Sequence, residues 1–311
     1  MKSTEMSRDF TPGEFDDLRT DESASLGRTP EPETRHPEPR HSPDGNPQID
    51  RDTAIPRDAR PDRARSQDSR TVFYERDRAY CLRGSEVHTL SELGKFRVIA
   101  TEDLATHAYQ DHREEMEHDI RNLAQQGLVR QEAFEGPEAS RREMLTLTKE
   151  GHRLLRANRF ASDGQSTYYG FVKPKETNHD ADIYRLYQKE ASRILDQGGK
   201  NLRVVLDFEL KKKLNRDFAT FGTESRQEIA SRHALQVVGE KIPVPDLRIE
   251  YETREGEIAR VDLELATEHY RPGHLAEKVR AGFSLYASRS DADRLRRVLD
   301  HRELTAEILN L

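Results

Sequence analysis

Two short segments in the second half of the chain alternate charged and apolar residues. The first is PDLRIEY, residues 245–251, and the second is ARVDLELA, residues 259–266. A period of two is typical of β-strands and puts the charged side chains of each strand on one face. If the turn TREGE, centred on Glu255, closes an antiparallel hairpin, the charged residues of the two strands face each other. The facing pairs are then Glu250 with Arg260, Arg248 with Asp262, and Asp246 with Glu264.

Two of these pairs join opposite charges, and cross-strand ion pairs of this kind are explained by strand stability without any functional role. The third, Asp246 with Glu264, joins two like charges and costs stability unless something neutralises them. A divalent ion such as Mg²⁺ is a natural candidate, because hard cations are held by one or two carboxylates. Asp246, Asp262 and Glu264 are therefore the candidate metal ligands. A register shifted by two residues is the alternative, and it would remove this apposition.

An ordered series of short elements precedes this hairpin. Residues 86–99 show helical spacing, Thr101 suits an N-cap for a short helix, and REEMEHDIRNLAQQG places Met116, Ile120 and Leu123 on one face of a third helix. Two strand-like runs, LVRQEAF and REMLTLT, follow around a turn-rich connector, and EGHRLLRANRF favours a last helix. This order is typical of a winged helix-turn-helix domain, which we assign to residues 71–160.

A DNA-reading helix needs polar side chains that reach bases or phosphates, and a wing needs basic residues near the backbone. The third helix and the wing offer such groups, although acidic neighbours dilute the positive field and each residue alone could equally belong to a solvated face. Winged helices also serve as protein-docking modules. The candidate DNA contacts are Arg113, Arg121, Asn122, Arg130, Arg141 and Arg142.

A second α/β unit is predicted over residues 161–311, which makes the whole protein α+β. It begins with a helix over 182–197 whose apolar stripe comprises Ile183, Tyr187, Ala191 and Ile194. A buried strand over 202–210 and a polar helix over about 224–238 follow, before the charged hairpin. A further helix opens near Pro272 and is expected to include Leu275, Val279, Phe283 and Tyr286.

The first 70 residues have a different composition from the rest. They hold nine of the fourteen prolines and no Tyr or Val, with 12 basic against 16 acidic residues. Such a segment cannot bury enough apolar surface to offset the entropy of ordering, so we predict a disordered Pro-rich tail. The remaining 241 residues carry 39 basic and 42 acidic side chains. The net charge of −7 therefore does not exclude a local basic surface.

The residues around the hairpin resemble the PD-(D/E)XK nuclease superfamily, through Asp246 after Pro245 and the triplet Asp262-Leu263-Glu264. The resemblance implies a restriction-endonuclease-like α/β domain with a mixed sheet and a Mg²⁺ site for phosphodiester hydrolysis. It also implies a helix-borne acid, which Glu190 matches by order. Glu264 stands where the motif lysine would be, and Lys278 in HLAEKVRAGF is the lysine that could reach the site from the next helix.

The combination of winged helix and hairpin is similar to the replication-relaxation family of plasmids and integrative conjugative elements. The similarity covers residues 80–290, and its strongest segment is PDLRIEYETREGEIARVDLELATEHYRPGHLAEKVRAGFSLYA. It implies a DNA-binding accessory protein for replication, relaxation or mobilisation of such an element. Double-stranded DNA is the expected partner, together with a relaxase or replication initiator.

Three functions thus stay open: an accessory protein with an inactive nuclease-like domain, a Mg²⁺-dependent endonuclease or nickase, and a winged-helix transcriptional regulator that acts as a homodimer. The single cysteine, Cys81, excludes an intramolecular disulfide framework and suits a reducing cytoplasm. No apolar run is long enough to span a membrane, so we expect no membrane partner.

Overall fold

The computed structural model describes residues 69–135, 141–171, 174–221, 225–267, 270–300 and 308–311. The predicted tail lies outside the described residues except for its last two positions. Within the described part, the protein is a mixed α+β structure that contains a mixed five-stranded sheet. No helix there combines the length and the apolar character that a membrane crossing requires.

The first half of the described chain follows the predicted order closely. The third helix buries Met116, Ile120 and Leu123, as the spacing predicts. A three-stranded antiparallel sheet has the order β3-β5-β4, and a separate hairpin formed by β1 and β2 precedes it. The bounds are β1 (Thr71–Glu75), β2 (Arg78–Leu82), α1 (Gly84–Phe96), β3 (Ile99–Ala100), α2 (Thr101–Ala108), α3 (Arg113–Gln125), β4 (Val129–Glu135), β5 (Arg141–Leu147) and α4 (Lys149–Ala157).

Three details of this half differ from the sequence prediction. The helical spacing predicted over residues 86–99 holds only to Phe96, where α1 ends, and the short strand β3 that follows was not predicted. The β1–β2 hairpin was not predicted; its two-residue turn places Arg76 at a φ of 52°. The predicted N-cap of α2, Thr101, is the first helical residue instead, and Ala100 is the N-cap. Because Ala100 pairs with Met144 in the β3–β5 ladder, its backbone is already extended where the helix begins.

The second half is built on the five-stranded sheet, in the order β10-β9-β8-β7-β6. β6, β7 and β8 form an antiparallel meander, whereas β8, β9 and β10 are parallel. A helix connects β8 to β9, as parallel neighbours require. The bounds are α5 (Pro174–Asp196), β6 (Lys200–Leu206), α6 (Asp207–Thr220), α7 (Arg226–Arg232), β7 (Leu247–Glu252), β8 (Ile258–Leu265), α8 (Pro272–Arg280), β9 (Ser284–Ala287), α9 (Arg289–Asp300) and β10 (Ile308–Asn310).

The prediction of one helix from Pro272 to Tyr286 is wrong. The helix α8 ends at Arg280, and Tyr286 lies in β9. Gly282 has a φ of 83°, its N–H bonds the Val279 carbonyl, and the Phe283 N–H bonds the Lys278 carbonyl. This pair of bonds is the Schellman motif, which stops a helix even where the apolar spacing continues.

Similarly, the strand predicted over 202–210 ends at Leu206, where α6 begins. Asp207 and Glu209 lie in the first helical turn, where acidic side chains interact favourably with the helix dipole. The apolar run VVLDFEL therefore spans a strand end and a helix start. The polar helix predicted over 224–238 is the shorter α7, with Ser225 as its N-cap.

One hydrophobic core runs through both predicted domains. The helix α5 buries its predicted stripe on the sheet, and Tyr184 on the same helix stacks edge-on against Phe96 of α1, with ring centroids 5.1 Å apart. Residues of α1, α3, α5, β7 and β8 belong to the same buried cluster. The boundary predicted between residues 160 and 161 therefore separates elements that share a core, and α5 is the element that joins them.

Candidate functional site

The register of the charged hairpin is the one predicted from the sequence. In the β7–β8 ladder, Arg248 lies opposite Asp262 and Glu250 lies opposite Arg260. Asp246 directly precedes β7, and its backbone N–H donates to Oε2 of Glu264 over 3.2 Å. The Leu265 N–H in turn donates to Oδ2 of Asp246 over 3.0 Å. The alternative register is thereby excluded, and Asp246 and Glu264 form what we call the acidic pair.

The acidic pair is buried, and a lysine lies against one of its two carboxylates. Asp246 is 4 % exposed, Glu264 0 % and Lys278 1 %. The ammonium group of Lys278 lies 3.2 Å from Oε1 of Glu264 and donates to the Val244 carbonyl over 2.8 Å. Tyr270 donates from its hydroxyl to the same Oε1. Asp246, Glu264 and Lys278 therefore converge as predicted, and the ammonium group of Lys278 lies against Glu264.

A histidine from another element also reaches the acidic pair. Nε2 of His179, in the first turns of α5, lies 3.3 Å from Oδ2 of Asp246. Neither His179 nor Tyr270 was singled out from the sequence. The missed signal for His179 is Pro174: proline is common in the first turn of a helix, so α5 could have been extended back to it. Tyr270 lies between elements, and no periodicity marks it.

Asp262, the third predicted metal ligand, has a different partner. Its two carboxylate oxygens accept hydrogen bonds from Nε and Nη2 of Arg248 over 2.6 and 2.8 Å. Arg248 also donates to the carbonyls of His233 and Ala234, so it fastens the end of α7 to the sheet. Asp262 thus belongs to a structural ion pair and is not part of the acidic pair.

Glu190, the predicted helix-borne acid, meets the other face of the sheet. It accepts a hydrogen bond from the hydroxyl of Tyr286 over 2.5 Å, and its hydrogen bonds with Arg193 raise the pKa of that arginine. Tyr286 lies opposite Leu265 in the β8–β9 ladder, whereas Glu264 lies opposite Leu285. Because neighbouring side chains on a strand alternate faces, Glu190 and Glu264 lie on opposite sides of the sheet.

The acidic pair meets only some of the coordination requirements of Mg²⁺. The ion prefers near-octahedral oxygen ligands and usually keeps several of its waters. The two carboxylates have the right chemistry, but both are buried, and Glu264 already accepts from a backbone N–H, a lysine and a tyrosine. Within the described residues, no group of three or more His, Cys, Asp or Glu is arranged to hold a metal. As arranged here, these residues do not fit a hydrated Mg²⁺ ion.

The helix α3 presents two of the predicted DNA contacts to solvent. Arg113 and Arg121 are exposed and share a face with Glu117, at spacings of four residues. Asn122 is placed differently, because its Nδ2 donates to the buried Glu86 of α1 over 2.6 Å. That amide therefore anchors α3 on α1.

The predicted wing contributes three arginines in three different environments. Arg141 is exposed. Arg130 lies 2.9 Å from Glu132 and over the ring of Phe171 at 4.9 Å. Arg142 is enclosed: its side chain is 10 % exposed and lies 3.0 Å from Asp182 and 3.4 Å from Asp103. Arg142 was predicted to contact DNA, but in the structure it links β5 to α2 and α5.

The acids around Arg142 belong to a junction of charged side chains from three elements. Asp103 of α2 accepts two hydrogen bonds from Arg185 of α5 over 3.0 and 3.1 Å. Burial nevertheless raises the pKa of Asp103 above its usual range, against the opposing effect of Arg185 and Arg142. The junction therefore joins the β4–β5 hairpin, α2 and α5 through charged groups, of which Arg142 and Asp103 are largely withdrawn from water and Arg185 is partly exposed.

No family model matches this chain. Neither the curated proteins nor the solved structures include one that matches it. The two family resemblances therefore rest on the quoted residues alone.

Proposed function

We propose that this protein binds double-stranded DNA as an accessory protein in the replication, relaxation or mobilisation of a plasmid or conjugative element, in the cytoplasm. The observation that carries DNA binding is the α1-β3-α2-α3-β4-β5 order with the sheet order β3-β5-β4. This order supports the proposed winged helix, because winged helices have the same sequence of elements. The connection to a mobile element, and to a relaxase or replication initiator as partner, rests on the sequence resemblance.

In this proposal, α3 is the recognition helix. Four residues separate it from α2, and the apolar side chains of α3 face the core, which leaves Arg113 and Arg121 on the outside. In helix-turn-helix proteins, the second helix of this pair enters the major groove and its first residues contact bases. Arg113 is the first residue of α3 and Arg121 lies two turns further, so both can reach a DNA backbone or groove.

The second half supports the accessory role better than an enzymatic one. The order of elements in this half supports a restriction-endonuclease-like fold: the helix α5, the antiparallel strands β6–β8, the connecting helix α8 and the parallel strand β9. In such a fold, Asp246 and Glu264 would be the acids of the active site. Lys278, Tyr270 and backbone N–H groups already satisfy the pair. We therefore assign this half a structural and DNA-engaging role without cleavage.

A Mg²⁺-dependent endonuclease is the second candidate, and one observation favours it. Asp246, Glu264 and Lys278 converge within hydrogen-bonding distances although they come from three different elements. Two acids and a lysine are the groups that the PD-(D/E)XK resemblance requires. For this function Glu264 would have to leave Tyr270, and activity would depend on Asp246.

The DNA-binding proposal is tested by replacing Arg113 and Arg121 together with alanine. Fluorescence anisotropy with a labelled duplex of about 20 base pairs should show tight, salt-dependent binding by the wild type. Loss of two phosphate contacts should lower the slope of log affinity against log salt by about two and weaken binding by about 10- to 100-fold at low salt.

The matched control replaces two exposed arginines on other elements, Arg226 and Arg254, with alanine. Both sets remove two positive charges, so a non-specific effect of net charge would weaken binding equally. Equal affinities for the two double variants would show that α3 is not the contact helix. A wild type that does not bind duplex DNA would refute the proposed function.

A further inference from the structure

The end of the β4–β5 hairpin is bonded to the first turns of α5. Asn178 donates from Nδ2 to the backbone carbonyl of Glu135, the last residue of β4, over 2.7 Å. One turn further along α5, Asp182 accepts from Arg142 over 3.0 Å. Arg141 pairs with Glu135 in the β4–β5 ladder, so this exposed arginine lies at the end of the hairpin that is hydrogen-bonded to α5.

The next residue of α5 bonds the acidic pair. His179 follows Asn178 directly and lies 3.3 Å from Asp246. On the other side of the pair, Glu264 accepts from Tyr270, and the following residue, Arg271, is exposed at the start of α8. A continuous series of contacts therefore runs from the hairpin end, through α5 and the acidic pair, to Arg271.

The distance that this series covers is shorter than one helical turn of DNA. Two adjacent side chains bridge the Glu135 carbonyl and the Asp246 carboxylate, so these groups are at most about 20 Å apart. At about 3.4 Å per base pair along a strand, that distance covers roughly six base pairs, or about half a helical turn. A duplex of one helical turn is therefore long enough to span the hairpin end and the acidic pair.

The charges along the series permit an approach of phosphates. Lys278 lies against Glu264, so the buried pair does not present two bare carboxylates. Among the acids in the first turns of α5, Asp182 lies 3.0 Å from Arg142, Asp180 lies 3.6 Å from His179, and Glu176 adds a further negative charge. Arg141 and Arg271, at the two ends of the series, are exposed and carry the sign of charge that a DNA backbone attracts.

The geometry points to one DNA duplex that contacts Arg141 at the hairpin end and Arg271 at the rim of the acidic pair at the same time, with the first turns of α5 setting the distance. This inference rests on the proposed DNA binding and adds a second contact, outside the winged helix. It assigns α5 the role of a rigid spacer between the two contacts, because the same turns bond both the hairpin and Asp246.

The test is the salt dependence of affinity for a duplex of about 20 base pairs, measured with the full chain. Arg141→Ala and Arg271→Ala should each lower the slope of log affinity against log salt by about one, and the double variant by about two. Arg271→Lys, which keeps the charge, should retain the wild-type slope. Arg254→Ala is the control, because Arg254 is an exposed arginine in the β7–β8 turn, at the opposite end of the hairpin from Asp246.

The possible failures are distinguishable. If the wild type binds DNA and Arg271→Ala keeps its slope, the duplex does not reach the acidic pair, and the inference is overturned while DNA binding stands. A slope lowered equally in Arg254→Ala also overturns it, since the effect then follows net charge. If the wild type does not bind, the proposed function itself fails. A circular dichroism melt that matches the wild type establishes that each variant is folded.

Discussion

Replacing Lys278 with methionine should lower the free energy of unfolding by about 3–5 kcal/mol, because it removes the partner of a buried charge. Methionine fills a similar volume, so loss of packing adds little. Glu264, 0 % exposed, would lose the ammonium group 3.2 Å away and would remain beside the buried Asp246. Urea denaturation followed by circular dichroism measures the change.

A second substitution separates charge from packing in this cluster. Combining Lys278→Met with Glu264→Gln should recover part of the lost stability, since the amide carries no charge that needs a cation. Lys212→Met is the control, because Lys212 is exposed on α6 and should change stability by less than about 0.5 kcal/mol. If Lys278→Met unfolds at the wild-type urea concentration, the pair is not neutralised by this lysine.

Replacing Arg142 with methionine should lower the free energy of unfolding by about 2–3 kcal/mol. This loss is smaller than the one expected for Lys278→Met, because Arg185 still donates hydrogen bonds to Asp103. Asp182 would lose a hydrogen bond of 3.0 Å, and the junction between β5, α2 and α5 would keep its acids with one cation fewer. The salt dependence of DNA binding by the folded variant should stay at the wild-type slope.

The neighbouring residue provides the matched comparison for Arg142. Arg141→Met removes the same charge one position earlier on β5, but from an exposed side chain, so stability should change by less than about 0.5 kcal/mol while the salt slope of DNA binding falls. The two variants should therefore show opposite effects. If Arg142→Met keeps wild-type stability and lowers the slope, Arg142 contacts DNA and the junction described here is not its role.

The parts of the fold that could be predicted are those in which local periodicity and tertiary packing agree. The α3 face with Met116, Ile120 and Leu123 is one example, and the β7–β8 register is another. A two-residue period and a five-residue turn fix a hairpin register closely, and that register placed Asp246 beside Glu264. The α8–β9 boundary could not be found in the same way, because the spacing of Phe283 and Tyr286 suits a helix that Gly282 ends.

The site was predictable only where its members are close in sequence. Asp246, Glu264 and Lys278 lie within one hairpin and the helix after it, so register and order were sufficient. His179 reaches Asp246 from α5, across 67 residues, and such a contact depends on how α5 packs on the sheet. The sequence places Arg142 in the wing, but an arginine there can contact either DNA or the acids of neighbouring helices. Only the packing of α2 and α5 shows that Arg142 faces Asp103 and Asp182.

The most direct test of the central claim is a gel assay with supercoiled plasmid and Mg²⁺, which reads binding and cleavage together. The full chain and Asp246→Asn are incubated with the plasmid, and each sample is run before and after removal of protein. The account predicts that both proteins retard the plasmid and that it remains supercoiled once they are removed. Nicked or linear plasmid with the wild type but not with Asp246→Asn would contradict the account and establish a metal-dependent nuclease.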